Sequence, residues 1–187
     1  AHFTRNNERY DYTTMNRQLQ LMSEVGATNV RCDLDDALLN TTNSPILINV
    51  LNTVKQHNFN LLGILYDSEL SKNVWKGNYG FIRRFDVLQK RYINRFRTIE
   101  FCNEVNLHSQ DSLAYHYLED LKMVYSMKQH DSNVTILFSG LANIQDESFL
   151  NDVMKNGAYR YFDIMNYHTY SSPEQIPTDL KKVKDCM

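Results

Sequence analysis

The 187 residues predict an α/β fold, an incomplete (β/α)8, TIM-barrel-like domain. Short runs rich in Val, Ile, Leu and Phe alternate with amphipathic stretches of helical period, the pattern of βα units on a parallel sheet. Strand starts recur about every 30 to 40 residues, close to the unit size of an eight-stranded barrel of about 250 residues. The main rival is a doubly wound open sheet, and the glycine-rich phosphate loop usual after its first strand is missing. Length favours one domain, residues 1–187, read as a partial barrel of about six βα units with the last two strands absent.

A first helix is expected over residues 12–25, with Met15, Leu19, Met22 and Val25 along one face and Gly26 ending it. A strand follows at 28–34 (TNVRCDL). Ser44 can cap a second helix with Pro45 at its first position, running to 57. The next strand is 60–66 (NLLGILY), and a Gly-, Asn- and Ser-rich loop over 67–80 leads to a helix at 81–95. The run 98–106 (TIEFCNEVN) is a strand that ends in Asn103-Glu104. Asp111 or Ser112 starts a helix reaching 129, and a strand at 135–139 precedes a helix at 147–156 closed by Gly157. The last clear strand is 161–167 (YFDIMNY), and 173–184 is helical or turn-rich. Five strands are secure, and His2-Phe3 reads as the tail of a sixth.

Bulk properties exclude several classes of function. The net charge is −2 with Lys and Arg dispersed, whereas a nucleic-acid binder needs a clustered basic face. The densest basic stretch, 83–97, interleaves its charges with Phe85, Leu88, Tyr92, Ile93 and Phe96, which is a solvated helix face over an apolar one. No apolar run approaches the roughly 18 residues of a membrane span. Cys32, Cys102 and Cys186 are odd in number and widely spaced, so neither a zinc site nor a disulfide framework is indicated, and no cofactor is expected. No leader precedes Ala1-His2-Phe3, so the sequence reads as cut from something longer. Asn40 and Asn133 head glycosylation sequons, relevant only in a eukaryotic secretory setting.

Chemistry concentrates at a few residues. Glu104 stands at the C-terminal end of a strand, where an α/β barrel keeps its reacting groups. Asn103 can orient a sugar hydroxyl, or can simply end the strand as Asn often does. Arg31 lies inside a strand between Val30 and Cys32, and burial of its charge demands a carboxylate: Glu100, Asp33 or Glu104. His168 and Tyr170 are two apart on an extended segment and so face one side. Trp75, the one tryptophan, sits in the long loop after 60–66, to stack on a sugar ring or to cover the helix layer. Tyr66 and His2 lie near strand ends. Cys32 points towards the helices, and Cys102, sharing parity with Glu104, packs below it.

Three of these segments, GATNVRCDL with Arg31, TIEFCNEVNL with Asn103-Glu104, and DIMNYHTY with Asp163, His168 and Tyr170, fall in register with one family. The chain resembles clan A glycoside hydrolases, the retaining (β/α)8-barrel enzymes, and looks most like the family of β-xylosidases and α-iduronidase. Val105 stands where proline is usual. The resemblance implies an oligosaccharide or glycoside substrate, no cofactor, no metal, and a secreted or periplasmic location. It implies that Glu104 is the general acid/base, with a pKa raised in the full enzyme partly by the ionised nucleophile and more ordinary in this chain, where that partner is absent. Asn103 would bond the hydroxyl beside the reacting carbon, Arg31 would orient the nucleophile, and His168 and Tyr170 would contact sugar or nucleophile. The nucleophile is expected on a seventh strand, outside these residues, so the isolated chain is expected to be inactive.

Two other readings stand beside this one. A non-catalytic carbohydrate-binding or interaction protein on a truncated barrel would bind sugar without turnover. A metal-dependent sugar isomerase is disfavoured, because the first strand has no His-x-His pair and the ligand spacing gives no compact site. Open barrel edges would favour self-association.

Overall fold

The computed structural model describes residues 12–34, 45–65, 97–107, 112–129, 132–142 and 147–187. In chain order these form α1 (Tyr12–Glu24), β1 (Asn29–Leu34), α2 (Pro45–Gln56), β2 (Asn60–Leu65), β3 (Thr98–Phe101), α3 (Leu113–Tyr125), β4 (Thr135–Leu137), α4 (Ser148–Lys155) and α5 (Ile176–Cys186). The expected helix at 81–95, and the residues His2, Ser44, Tyr66 and Trp75, lie outside the described residues.

Helix ends deliver the chain to the strands. At the end of α1, Gly26 adopts φ +81°, its N–H donates to the Ser23 carbonyl at 2.9 Å, and the Ala27 N–H donates to Met22 at 2.9 Å. This paired closure satisfies two orphan carbonyls and turns the chain into β1. Val25, expected on the buried face, falls in this turn and is 83% exposed. Asn58 does the same after α2 with φ +59°, bonding to Lys55, while the Phe59 N–H bonds to Val54; Val54 and Phe59 are both buried. Ser112 precedes α3 with φ +64° and makes no side-chain cap.

The sheet is parallel and its strands add in chain order, β1-β2-β3-β4. Parallel neighbours in register point the same way, which sorts the residues into two faces. One face carries Val30, Cys32, Leu34, Leu61, Leu65, Ile99, Phe101 and Ile136, packed with Leu19, Val50, Tyr117, Leu121 and Val153 from the helices into one core. The other face carries the row Asp33, Ile64, Glu100, Leu137, Ile164, with Arg31 beside Leu62 one step earlier. Ile64, Glu100 and Leu137 are buried there too.

Two expected strands are shorter than their sequences suggest. β4 ends at Leu137, because the Ser139 N–H turns to the Tyr117 hydroxyl (2.9 Å) and the Gly140 N–H to Glu100 (3.0 Å). Segment 161–167 lies parallel beside β4 but makes only two isolated bridges, Leu137 with Ile164 and Leu141 with Tyr167. Asp163 explains the gap. Its carboxylate accepts the Ile136 N–H at 2.8 Å, where a ladder would supply a backbone carbonyl, and Lys128 holds that carboxylate at 2.6 and 2.7 Å. Asp163 is thus committed to β4 and Lys128.

Candidate functional site

The site forms where β3 stops. Glu100 alternates onto the second face of the sheet between Ile99 and Phe101 and is fully buried. Beyond Phe101 the backbone leaves the extended region: Cys102 has φ +62° and Glu104 φ +51°. Left-handed conformation costs a residue with a Cβ about 1–2 kcal/mol, and such strain persists only where surroundings over-determine it. Here the Cys102 N–H is held by the Leu65 carbonyl and the Glu104 N–H by Gly140, both at 2.9 Å, before a 3-10 turn at Val105–Leu107. The positive φ angles break the alternation that parity assumed. Cys102 joins the helix-side core, while Glu104 turns to the rim with its side chain about a fifth exposed.

Two donors converge on one oxygen of Glu104. His168 Nδ1 lies 2.8 Å and the Tyr170 hydroxyl 2.7 Å from Oε1. The hydrogen bond from His168, with further help from Tyr170 and the positive charge of Arg31, holds the Glu104 pKa below the ordinary 4.5, against a smaller opposing effect of burial. The raised pKa expected for a resting general acid is therefore not found among these partners. The same bond lifts the Tyr170 phenol above its usual range, although its ring is 81% exposed.

Arg31 takes Glu100 as its bidentate partner, and the charges of Asp33 and Glu104 act on it as well. Nε and Nη2 meet Oε2 and Oε1 at 2.7 and 2.8 Å, a bidentate fork. Arg31 Nη2 also donates to Asn103 Oδ1 at 2.6 Å and stands 3.5 Å from His168 Nε2. The imidazole tautomer with its proton on Nδ1 serves Glu104 and turns the Nε2 lone pair to Arg31. Glu100, through its hydrogen bonds and then its charge, raises the Arg31 pKa further. Asn103 spends its carbonyl oxygen on Arg31, which leaves its NH2 as the end available to a ligand.

Five of the residues singled out in the sequence thus come together: Arg31, Asn103, Glu104, His168 and Tyr170. Trp75 lies outside the described residues. The residues that sequence reasoning missed are Tyr117, Ser139, Gly140 and Asn106. Tyr117 is fully buried, and its hydroxyl accepts the Ser139 N–H and donates to the Phe101 carbonyl at 3.3 Å. Asn106 pairs both ends of its amide with the Ala142 backbone. Small residues after an apolar strand, Ser139-Gly140, were the only available signal. Among the described residues no group of three His, Cys, Asp or Glu could hold a metal ion. A cavity of about 560 Å³ lies at the opposite, N-terminal end of the strands, lined among the described residues by Asn29, Lys55, Asn60 and Arg97 and by no carboxylate.

No protein-family model matches the chain, and no curated protein matches it. Its functional reading therefore stands on the geometry of the rim.

Proposed function

We propose that the chain is the acid/base-bearing part of a retaining glycoside hydrolase on a (β/α)8 barrel, acting on an oligosaccharide or glycoside. The observation that carries this reading is the asymmetric hold on Glu104. Among the described residues both donors to this carboxylate occupy Oε1, so Oε2 is the oxygen offered to a ligand at the C-terminal ends of parallel strands. In the first half-reaction Glu104 passes a proton from Oε2 to the leaving oxygen as a second carboxylate attacks the anomeric carbon. In the second half-reaction Oε2 takes the proton of the attacking water.

The second carboxylate would lie about 5–5.5 Å away. Glu100 is unavailable for that role, being buried and forked onto Arg31. A nucleophile on a further strand would bring a like charge and lift the Glu104 pKa from its low resting value towards that of an acid. Sheet order supports the barrel: strands add one by one in chain order, and the face away from the helices buries Ile64, Leu137 and the Glu100 carboxylate as a closed interior would.

A non-catalytic carbohydrate-binding protein is the second reading. The low pKa of Glu104 favours it. Hydrolysis of nitrophenyl glycosides by the wild-type protein carrying the strand that supplies the second carboxylate, and by its E104A variant, with and without azide, separates the two. Catalysis predicts at least about a 10²-fold loss in E104A, partly restored by azide with retained configuration. Sugar binding without turnover by the wild type selects the second reading, and no binding at all overturns both.

A further inference from the structure

Gly140 meets Glu100, Glu104 and His168 without having a side chain. Its N–H donates to Glu100 Oε1 at 3.0 Å, and its carbonyl accepts the Glu104 N–H at 2.9 Å. A Cβ at this position would lie 2.3 Å from His168 Nε2, 2.8 Å from His168 Cδ2 and 2.9 Å from Glu100 Oε1. Its φ is not among the positive values, so the backbone itself would accept alanine. The constraint at Gly140 is therefore space, not conformation.

A methyl group there forces one neighbour to move, and the two differ in freedom. Glu100 is fully buried and held by Arg31 through two bonds. His168 is about a quarter exposed, and the atoms it presents to Gly140 are the far edge of its ring. The imidazole gives way. Because the ring is rigid, displacing Nε2 by the ångström or so that ordinary contact requires carries Nδ1 off Glu104 Oε1, now 2.8 Å away.

We infer that Gly140 is a positioning residue, whose missing side chain lets His168 seat against Glu104 and thereby sets the state of that carboxylate. The significance of the contact rests on the role proposed for Glu104, but its existence does not. Glycine is the only residue that fits, and the reason is the imidazole of a residue on the neighbouring segment.

The test is the titration of the Glu104 side-chain carboxyl by ¹³C NMR in the full chain, for wild type, G140A, H168A and G140A/H168A. The expected midpoint rises in G140A and in H168A, and the double variant matches H168A with no further rise. Retention of the wild-type midpoint in G140A overturns the inference, as does an added shift in the double variant. Should G140A not fold, recovery of folding in G140A/H168A supports the clash with the ring, and its failure places the clash elsewhere and refutes the proposal. Turnover is not read, so a failure of the glycosidase reading is told apart from a failure of this one.

Discussion

Replacing Arg31 by methionine tests the electrostatic centre of the rim. The change keeps a long apolar stem and strips Glu100 of both ionic hydrogen bonds, leaving, among the described residues, the Gly140 N–H. Removing one partner of a buried pair costs about 3–5 kcal/mol, because a charge is left uncompensated. The Arg31 side chain is 37% exposed while that of Glu100 is 0% exposed, so solvent screens one end of the pair and the lower bound applies, about 3 kcal/mol. In a domain of this size that corresponds to a fall in Tm of about 6–12 °C. Urea unfolding measures it directly, with an unchanged m-value showing that the denatured state is not the source. The double variant R31M/E100Q removes the stranded charge and is expected to recover about half of the loss, since glutamine still accepts from Gly140. A loss below about 1 kcal/mol in R31M, or a double variant no more stable than R31M, would refute the assignment of Glu100 as a buried, ionised partner.

Two further outcomes follow from the same geometry. Y117F leaves the Ser139 N–H buried without its acceptor and is expected to cost about 1–3 kcal/mol in urea unfolding; a cost near zero would show that the hydroxyl is not a structural link between the strand ends. Glu104 has a folded pKa below its unfolded value, so the folded state binds fewer protons across that interval and stability rises with pH through it. That contribution is fully present above about 4.5 and is lost as pH falls through the lower folded value; H168A, which removes the leading cause, is expected to flatten the acid limb of the stability–pH curve, and an unaltered limb would exclude His168 as its origin.

Much of this architecture was legible in the chain. Apolar runs located β1 to β4 because each buries a helix-facing side, and Gly26 marked the end of α1 because a left-handed turn is needed there. Arg31 stood out because a charge in an apolar strand requires a partner, although the choice among Glu100, Asp33 and Glu104 needed distances. The pairing of His168 with Tyr170 followed from extended spacing, and both do reach one oxygen of Glu104. Other features depend on tertiary contact. Nothing local in FCNEV announces positive φ at Cys102 and Glu104, which are held by Leu65 and Gly140 from neighbouring strands. The broken ladder at 161–167 was hidden because apolar content suggested a strand, while the Asp163 carboxylate occupies the position of a backbone acceptor. Tyr117 looked like one more core aromatic, and its hydroxyl acquires a role only when two strand ends separate beneath it.

Along the rim, four backbone N–H groups are held by side chains instead of neighbouring backbone: Val105 by Ser139, Ser139 by Tyr117, Gly140 by Glu100 and Ala142 by Asn106. Below them the rungs between β1, β2, β3 and β4 belong to the main chain and do not depend on which residues occupy the strands. The two layers are therefore inherited differently. Substitution in the lower layer alters packing but leaves the pattern of rungs, whereas each stitch of the upper layer is a single codon that can be lost or replaced alone. The mouth of this sheet can change its shape through the genetic code one stitch at a time, while the floor that supports it stays the same.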